Sequence, residues 1–378
     1  MGVFYYFFRH EEYLRDYNCS FYSVDEIPIE RRRHFGFGVL LLVLGVIYEV
    51  ASLESHSSLL VQLLYIPCIY ALSRKHVRES SVCYEIMLLM SIFDVCSLPL
   101  TTLLPGWFSI NGWMFCSSPT LSYFAGTALL ATWVPYTSTS IILTLNRCLL
   151  FTSYADIFDG RKRFVWLGFP VVCALLIVAF GDSGLYNSVY GAFFFGLSSS
   201  TASVYRCLDP HLGYHTDTSG KYSSKIQLWN NIFFCIAQPA IYAAFIWRYA
   251  VARSRQPLRI PRREKALFVQ ALLVNLTIVA AALGYTVMQY VQLPDKFIAL
   301  SHLAWVIIEG TPSIIYLSSN KTIRRVLLVE TKWSWRLQLR LGVHPPNCVV
   351  STQNAATRAQ PSVLYSKKKT AVDVSHIT

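Results

Sequence analysis

The sequence predicts an all-α bundle of seven membrane-spanning helices, with the N-terminus outside the cell and the C-terminus in the cytoplasm. Hydrophobic residues make up 54% of the 378 residues and charged residues 14%, and the mean hydropathy is +0.40. About 25% of the residues are charged in an ordinary soluble domain, so this composition excludes water-soluble and disordered classes. The other two observations are a series of long apolar segments and an uneven distribution of basic residues.

Six segments are long enough to cross a bilayer. A spanning helix needs about 20 mainly apolar residues, because the hydrocarbon layer is about 30 Å thick and each helical residue rises about 1.5 Å. The segments that meet this requirement are residues 84–104, 119–145, 164–180, 226–250, 266–291 and 297–318.

The first crossing is interrupted. Residues 35–51 and 59–72 are apolar, but the segment SLESHSS between them is polar. Either the two halves form a broken or re-entrant helix, or residues 51–63 are an insertion within one ordinary span. We favour the insertion, because Glu54 and His56 would otherwise need partners at membrane depth. Without it, the two halves add up to the length of one tilted helix.

The basic residues predict the orientation of the chain. With the N-terminus outside, cytoplasmic segments hold 24 of the 33 Lys and Arg residues and external segments hold nine, as expected for a membrane protein. Residues 1–34 are then extracellular, and the sequon at Asn18 is a predicted glycosylation site. The basic run at 31–33 is a contrary signal that fits an eight-crossing alternative with the N-terminus inside.

The cysteines predict one disulfide and no metal centre. The ten cysteines include no C-x-x-C pair, so zinc and redox-motif interpretations have no support. Cys116 precedes the third span and Cys207 lies in the long external loop 181–225, where the environment permits a disulfide. We predict that these two are bonded and that Cys19 is unpaired. The alternative is that Cys116 and Cys207 are both free thiols.

Three acidic residues lie within predicted spans. Asp94 is about ten residues into the second span and Glu309 about twelve into the seventh, which places both near the middle of the membrane. Glu49 in the first span is a third. Intramembrane carboxylates are costly and therefore face the bundle interior. Two interpretations stay open: a shared ion or proton site, or protonated structural groups.

The cytoplasmic end of the bundle carries a predicted latch. Arg147 closes the third span, where it can either snorkel to the interface or pair with Glu264, just before the sixth span, and hold that end shut. Pro312 permits a kink in the seventh span.

The C-terminal region divides in two. Residues 319–341 are predicted to form an amphipathic helix held on the membrane by apolar burial and anionic lipids, and residues 342–378 to be disordered. The sequence contains no G-x-S-x-G, H-E-x-x-H or P-loop motif. We therefore expect neither enzymatic activity nor a cofactor or metal.

Several short motifs resemble one family. The stretches 17–20 (YNCS), 47–49 (IYE), 65–68 (YIPC), 115–120 (FCSSPT), 145–148 (LNRC) and 319–324 (SNKTIR) are similar to those of the nematode class T serpentine chemoreceptors, a branch of the G-protein-coupled receptors. The resemblance covers about residues 15 to 328. It implies a plasma-membrane receptor of sensory cilia that binds a small external molecule and activates a heterotrimeric G protein, with no nucleic-acid partner. The seventh span has no Lys, which excludes a retinal Schiff base.

The resemblance also implies roles for individual residues in activation. Arg147 corresponds to the arginine of the D-R-Y motif, with Asn146 in place of the aspartate, and Asp94 matches the aspartate of the second span. Pro312 and Tyr316 stand near the N-P-x-x-Y position, although the spacing is one residue longer. The activation machinery of the family is therefore expected to transfer only in part.

The predicted ligand pocket lies between the external halves of the helices. From the direction of each span, the residues at that depth are Tyr123, Thr127, Trp229, Phe233, Tyr285, Gln289, His302 and Trp305. The main alternative function is a small transporter or channel that uses Asp94, Glu309 and Glu49 as an ion or proton relay. The absence of an internal repeat in the sequence favours the receptor.

Overall fold

The computed structural model describes residues 2–17, 19, 24–49, 65–150, 154–194, 224–255, 262–290 and 294–330. Its helices are α1 Val3–Phe8, α2 His10–Asp16, α3 Ile29–Arg32, α4 Phe35–Glu49, α5 Tyr65–Ser73, α6 Lys75–Arg78, α7 Val82–Leu98, α8 Leu104–Asn111, α9 Pro119–Leu149, α10 Lys162–Phe180, α11 Lys225–Arg255, α12 Arg262–Tyr290, α13 Asp295–Ser319 and α14 Lys321–Glu330. A π-helical turn, Pro99–Leu103, joins α7 to α8. Strands β1 Leu185–Asn187 and β2 Ala192–Phe194 form an antiparallel hairpin with Tyr186 opposite Phe193.

Within the described ranges, six helices are long and apolar enough to cross a membrane. They are Val82–Asn111, Pro119–Leu149, Lys162–Phe180, Lys225–Arg248, Phe268–Val287 and Asp295–Ser319. These are the predicted second to seventh spans, so that prediction is confirmed. Several helices extend past the predicted limits, because hydropathy marks the stretch that fits the hydrocarbon layer and backbone hydrogen bonding continues beyond it.

The bundle has two faces, which we name after the ends of the chain they carry. At the N-terminal face, the backbone amide of His34 donates to the carbonyl of Ser109, which joins the start of α4 to the end of α8. At the C-terminal face, the Tyr84 hydroxyl donates to Thr322 Oγ1 at 3.1 Å, which joins the start of α7 to α14. Helices α9 and α13 run from the N-terminal to the C-terminal face, and α12 runs in the opposite direction.

Helices α4 and α5 are the two described parts of the interrupted first segment, and both reach the same turn of α13. The Tyr48 ring of α4 packs so closely on Gly310 that a Cβ there would lie 2.3 Å from it. The Tyr65 hydroxyl of α5 donates to the carbonyl of Glu309 at 2.5 Å. The Cys68 thiol, also of α5, donates to the carbonyl of Ser313, about one turn further along α13. The predicted insertion, residues 51–63, lies outside the described residues.

Glycines allow α4 to pack closely on the second spanning helix. A Cβ at Gly38 would lie 2.6 Å from the Gly106 carbonyl oxygen, and one at Gly45 would lie 2.5 Å from Thr102 Oγ1. Small residues at such crossings let two membrane helices approach to backbone contact. This contact fixes α4 against the N-terminal half of the bundle.

An N-terminal cap, residues 2–17 with Cys19, covers the start of α9. Tyr13 and Tyr17 make edge contacts with the ring of Tyr123, at centroid distances of 5.0 Å and 5.1 Å. The Tyr123 hydroxyl donates to the carbonyl of Gly2 at 3.1 Å. Burial of these large rings against α9 holds the N-terminal segment on the bundle.

The disulfide of the structure joins Cys19 to Cys116, so the prediction that Cys116 is bonded to Cys207 is wrong. Tyr17 packs against Phe115 with the ring centroids 5.7 Å apart, and this contact brings the cysteine two positions after Tyr17 next to Cys116. The sequence shows which thiols lie on the same side of the membrane but not which aromatic contacts bring two of them together. Cys207 and the predicted glycosylation site, Asn18, lie outside the described residues.

Helix α14 is the described part of the predicted amphipathic helix. Asn320 Oδ1 accepts hydrogen bonds from the backbone amides of Thr322 and Ile323, at 3.0 Å and 3.2 Å, which is the role of a helix N-cap. Ile323 and Val326 are buried against the bundle, whereas the cationic side chains are exposed. The later part of that helix and the predicted disordered tail lie outside the described residues.

Candidate functional site

Six side chains meet in the half of the bundle that lies next to the N-terminal face, and we call them the aromatic cluster. Its members are Trp133 of α9, Tyr186 and Phe193 of the hairpin, Tyr285 of α12, and His302 and Trp305 of α13, all of them buried. The Trp305 ring makes edge contacts with Tyr285 at 4.6 Å and with Trp133 at 5.4 Å. The His302 ring lies 6.0 Å from Tyr186 and 5.9 Å from Phe193. The cluster therefore connects three helices with the hairpin.

The imidazole of His302 bridges α12 and the π-helical turn. Its Nε2 donates to the carbonyl of Thr101 at 3.0 Å, and its Nδ1 lies 3.2 Å from the Tyr285 hydroxyl. A carbonyl oxygen can only accept, so Nε2 carries a proton, and in the neutral ring Nδ1 accepts the proton of Tyr285. A displacement of Tyr285 therefore acts directly on His302.

Thr101 continues this connection to Glu309. The Thr101 hydroxyl donates to Glu309 Oε2 at 2.7 Å, and the Ser97 hydroxyl donates to Glu309 Oε1 at 2.7 Å. Thr101 lies in the π-helical turn, a feature frequent at functional sites. Its carbonyl is bonded to His302 and its hydroxyl to Glu309. The result is a hydrogen-bonded path from Tyr285 through His302 and Thr101 to Glu309.

Asp94 lies deeper in the bundle, as the spacing along the second span predicts. The side chain is buried in the bundle interior, as are those of Glu309, Tyr65, Tyr136 and Tyr316. Since polar groups at membrane depth must find partners within the protein, these tyrosines provide a polar interior around the two acids.

Arg147 lies at the C-terminal face, almost fully buried. Its Nε and Nη2 donate to Asn146 Oδ1, at 3.0 Å and 2.5 Å, and Nη2 also lies 3.3 Å from Ser81 Oγ. The asparagine that replaces the expected acid therefore still binds the neighbouring arginine, through its amide oxygen. Ser81 caps the start of α7, so the arginine joins α9 to α7.

The hairpin closes the aromatic cluster toward the N-terminal face. The Tyr186 hydroxyl lies 2.7 Å from Ser109 Oγ, and Gly184 just before β1 lies against Gly126 of α9. This hairpin was not predicted from the sequence. The available signals were Asn187, whose side chain accepts from the Val189 amide at 2.9 Å, and Gly191, which adopts a positive φ of 65°, both typical of turns.

Two buried phenols, Tyr13 of the cap and Tyr186 of the hairpin, are uncharged where they meet the bundle. Burial raises the pKa of Tyr13 to about 12, and the neighbouring Tyr6 adds to the increase. Burial also raises the pKa of Tyr186 above its usual value. Both phenols therefore stay protonated at neutral pH, and neither contributes a charge above the aromatic cluster.

The predicted pocket residues have different positions in the structure. Tyr285, His302 and Trp305 lie together in the aromatic cluster. Thr127 is buried, with its hydroxyl bonded to the carbonyl of Tyr123 in its own helix. Tyr123 itself is covered by the N-terminal cap. The side chain of Gln289 lies outside the described residues.

Two of the predicted pocket residues face away from the bundle. Trp229 and Phe233 are 66% and 63% exposed, so the expectation that they line an interior pocket is wrong. The polar Asn231 of the same helix turns inward, because polar groups in a membrane helix face the bundle. Two residues correspond to a rotation of about 200°, which places Trp229 and Phe233 on the opposite side.

The remaining signalling residues are described in part. Pro312 and Tyr316 are buried on the interior face of α13. Glu264 and Glu49 belong to α12 and α4, but their side chains lie outside the described residues, and so does the predicted pair of Glu264 with Arg147. In the described part of the chain, no group of three or more His, Cys, Asp or Glu side chains could hold a metal ion.

Comparisons of the sequence and of the fold with known proteins each find proteins that resemble this chain. The sequence profile described as "Serpentine type 7TM GPCR chemoreceptor Srt" matches residues 2–334. The chain is 22% identical over 316 residues to "Serpentine receptor class T-55" of Caenorhabditis elegans, covering 82% of this chain and 79% of that protein. The fold is similar to that of the crystal structure of squid rhodopsin, with a TM-score of 0.52, 12% identity, and coverage of 83% of this chain and 88% of that one. The predicted fold class, a seven-helix membrane bundle, is confirmed.

Proposed function

Because the chain belongs to the Srt family of seven-transmembrane serpentine chemoreceptors, we propose that it detects a small external molecule and signals to a heterotrimeric G protein. The protein is a multi-pass membrane protein of a receptor family and not of an enzyme family. The observation that carries the proposal is the hydrogen-bonded path from the aromatic cluster to the buried acids of the bundle interior.

The proposed orientation places the N-terminal face outside the cell, in the plasma membrane of a sensory cilium. The excess of basic residues in the segments of the C-terminal face supports it. The meeting of α4 and α5 at Glu309 and Gly310 supports counting these two helices as one crossing, interrupted by residues 51–63. An epitope tag ahead of Val3 and another after residue 378 test this topology: the first is expected to bind antibody on intact cells, and the second only after permeabilisation.

The proposed ligand site is the aromatic cluster under the hairpin. Binding sites for small molecules are mostly apolar, with a few polar groups that fix orientation, and here those groups are the Tyr285 hydroxyl and the His302 ring. A ligand seated against Tyr285 changes the geometry of its bond to His302. That change is passed to Glu309 through Thr101.

The signal then reaches the C-terminal face by a shift between two packed states of the bundle. A ligand shifts such an equilibrium only by its difference in affinity for the two states. The residues that change partners in this mechanism are Asp94, Glu309 and the tyrosines around them. Ser81, Asn146 and Arg147 line a cavity of about 320 Å³ at the C-terminal face. We place the contact with the G protein at this cavity.

The test is a second-messenger assay on cells that express the chain with a G protein, against a panel of small volatile and water-soluble compounds. Tyr285→Phe removes the hydroxyl that reaches His302 and is expected to lower the potency of an active compound about tenfold, the effect of one lost hydrogen bond of about 1.4 kcal/mol. The matched control is Thr286→Val, because that hydroxyl donates to the Ala282 carbonyl of its own helix. Equal potency in both variants would contradict the assigned site.

A second candidate function is ion or proton transport. The observation that favours it is that Asp94 and Glu309 are both buried in the bundle interior, since buried acids in membrane proteins often belong to proton or ion pathways. A membrane current that requires Glu309 and persists without any G protein would support transport. A second-messenger response without such a current would support the receptor.

A further inference from the structure

A second group of buried polar side chains lies between α9, α11 and α12, closer to the C-terminal face than the aromatic cluster is. We call this group the polar clamp. Its members are Ser140 and Thr144 of α9, Gln238 and Tyr242 of α11, and Asn275 of α12. None of them takes part in the path from Tyr285 to Glu309.

Asn275 makes the central contacts of the polar clamp. Its Nδ2 donates to Thr144 Oγ1 at 2.7 Å and to the Tyr242 hydroxyl at 2.9 Å, and its Oδ1 accepts from Ser140 Oγ. The Gln238 amide adds a bond of 2.8 Å to Thr144 Oγ1. One side chain of α12 is thus bonded to both neighbouring helices.

The position of the polar clamp connects it to Arg147. Thr144 is three residues before Arg147, one turn of α9, and Ser140 is four residues earlier still. A movement of α12 away from α9 near the C-terminal face has to break both bonds from Asn275 to α9. At membrane depth no water replaces them, so separation leaves several polar groups unpaired at once.

We propose that Asn275 is a positioning residue that holds α12 against α9 and α11 in the resting state, so that the polar clamp sets the basal activity of the receptor. The proposal rests on the proposed signalling function for its cellular readout, but the structural effect can be measured without a G protein. Asn275 also begins the sequence Asn275-Leu276-Thr277, which matches a glycosylation sequon. Its side chain is buried, and the proposal gives it a structural role instead.

Cys148 provides the direct structural readout. This free thiol is buried beside Arg147 and lies one helical turn after Thr144 of the polar clamp on α9. Opening of the polar clamp exposes it to alkylation. Cys68, a buried thiol that is bonded to the Ser313 carbonyl on α13, is the internal reference that stays protected.

The experiment compares Asn275→Leu with Thr277→Val in the full chain. Leu is close to Asn in size but makes no hydrogen bond. Thr277→Val removes the same sequon, while the hydroxyl it deletes is bonded to the Val274 carbonyl of its own helix. In purified receptor, the rate of N-ethylmaleimide alkylation at Cys148, measured by peptide mass spectrometry, is expected to rise about fivefold in Asn275→Leu and to stay unchanged in Thr277→Val.

In cells, basal second-messenger output per receptor at the surface is expected to rise by about the same factor. Faster alkylation of Cys148 without any second-messenger signal supports the polar clamp and contradicts the proposed function instead. An alkylation rate equal to that of the wild type, or a lower one, overturns the polar clamp. If Asn275→Leu does not reach the membrane, Thr144→Val decides by the same criteria, since it removes the one hydroxyl that accepts from both amides.

Discussion

The approach of the hairpin to α9 leads to a prediction about a single methyl group. A Cβ at Gly126 would lie 1.6 Å from the carbonyl oxygen of Gly184, whereas carbon and oxygen in close contact need about 3.3 Å. Both groups are attached to backbone, so no rotamer change relieves the overlap. In Gly126→Ala the segment before β1 therefore has to move by about 1.7 Å.

That displacement reaches the aromatic cluster through Tyr186, two residues after Gly184. The distance of 2.7 Å between the hydroxyl groups of Tyr186 and Ser109 cannot survive a movement of that size. Overpacking costs about 1–3 kcal/mol, and the gain of about 0.5–1 kcal/mol from replacing Gly by Ala in a helix offsets part of it. We expect Tm to fall by several degrees, at about 2–4 °C per kcal/mol, and ligand potency to fall with it.

Gly168→Ala is the matched control, because it makes the same exchange within a neighbouring helix where a Cβ has open space. It is expected to leave Tm unchanged or slightly raised, together with an unchanged response. Thermal unfolding of the purified variants and a concentration–response curve measure the two effects. If Gly126→Ala matches Gly168→Ala in both, the hairpin does not lie where the structure places it, and the closed ligand site is wrong.

Three further predictions concern other parts of the chain. Cys19→Ser and Cys116→Ser are expected to lower surface expression and Tm equally, with no added effect in the double variant. The pairing would be contradicted if Cys116→Ser and Cys207→Ser had the same effect and Cys19→Ser had none. Trp229→Ala and Phe233→Ala are expected to change ligand potency less than about threefold, because a surface substitution changes free energies by about 0.5 kcal/mol or less; a tenfold loss would put these rings in the site after all. Asn320→Ala removes the N-cap of α14, which costs about 0.5–2 kcal/mol, and hydrogen exchange of residues 321–330 is expected to accelerate, while protection equal to the wild type would show that the cap contributes nothing.

The spanning helices could be predicted from the sequence because a single physical requirement, the length of apolar chain that covers a bilayer, determines them. The depth of a residue follows in the same way from the rise per residue. Asp94 and Glu309, which this rise predicts near the middle of the membrane, are both buried in the bundle interior. The same argument placed His302, Tyr285 and Trp305 at one level.

The rotation of each helix about its axis was harder to predict. Trp229 and Phe233 have the predicted depth but the wrong direction, since depth carries no information about which side faces the bundle. Their own helix contained the missing signal: Asn231, Gln238 and Tyr242 are polar or partly polar, recur at helical spacing, and must face the interior. That stripe of polar residues excludes both aromatic residues from the interior and points to the polar clamp.

Contacts between distant parts of the chain could not be predicted from local pattern. The choice of Cys19 over Cys207 depends on the packing of Tyr13 and Tyr17 against Tyr123, which no spacing in the sequence reveals. The hairpin depends likewise on the fit of Tyr186 between α8 and α13. Asn146 stands where the motif has an acid, and its amide oxygen still accepts from Arg147.

The central claim is that the hydrogen-bonded path from Tyr285 through His302 and Thr101 to Glu309 transmits ligand binding. A double-mutant cycle of Tyr285→Phe and Thr101→Val, measured as the potency of the most active compound of the panel in the second-messenger assay, tests it most directly. Tyr285→Phe breaks the path at its bond to His302, and Thr101→Val breaks it at the hydroxyl that donates to Glu309 while the carbonyl bonded to His302 remains. Because the two bonds are successive steps of one path, we expect the loss in the double variant to differ from the sum of the single losses by about 1 kcal/mol or more. Losses that add within about 0.5 kcal/mol would show that the two residues act independently and that the path does not carry the signal.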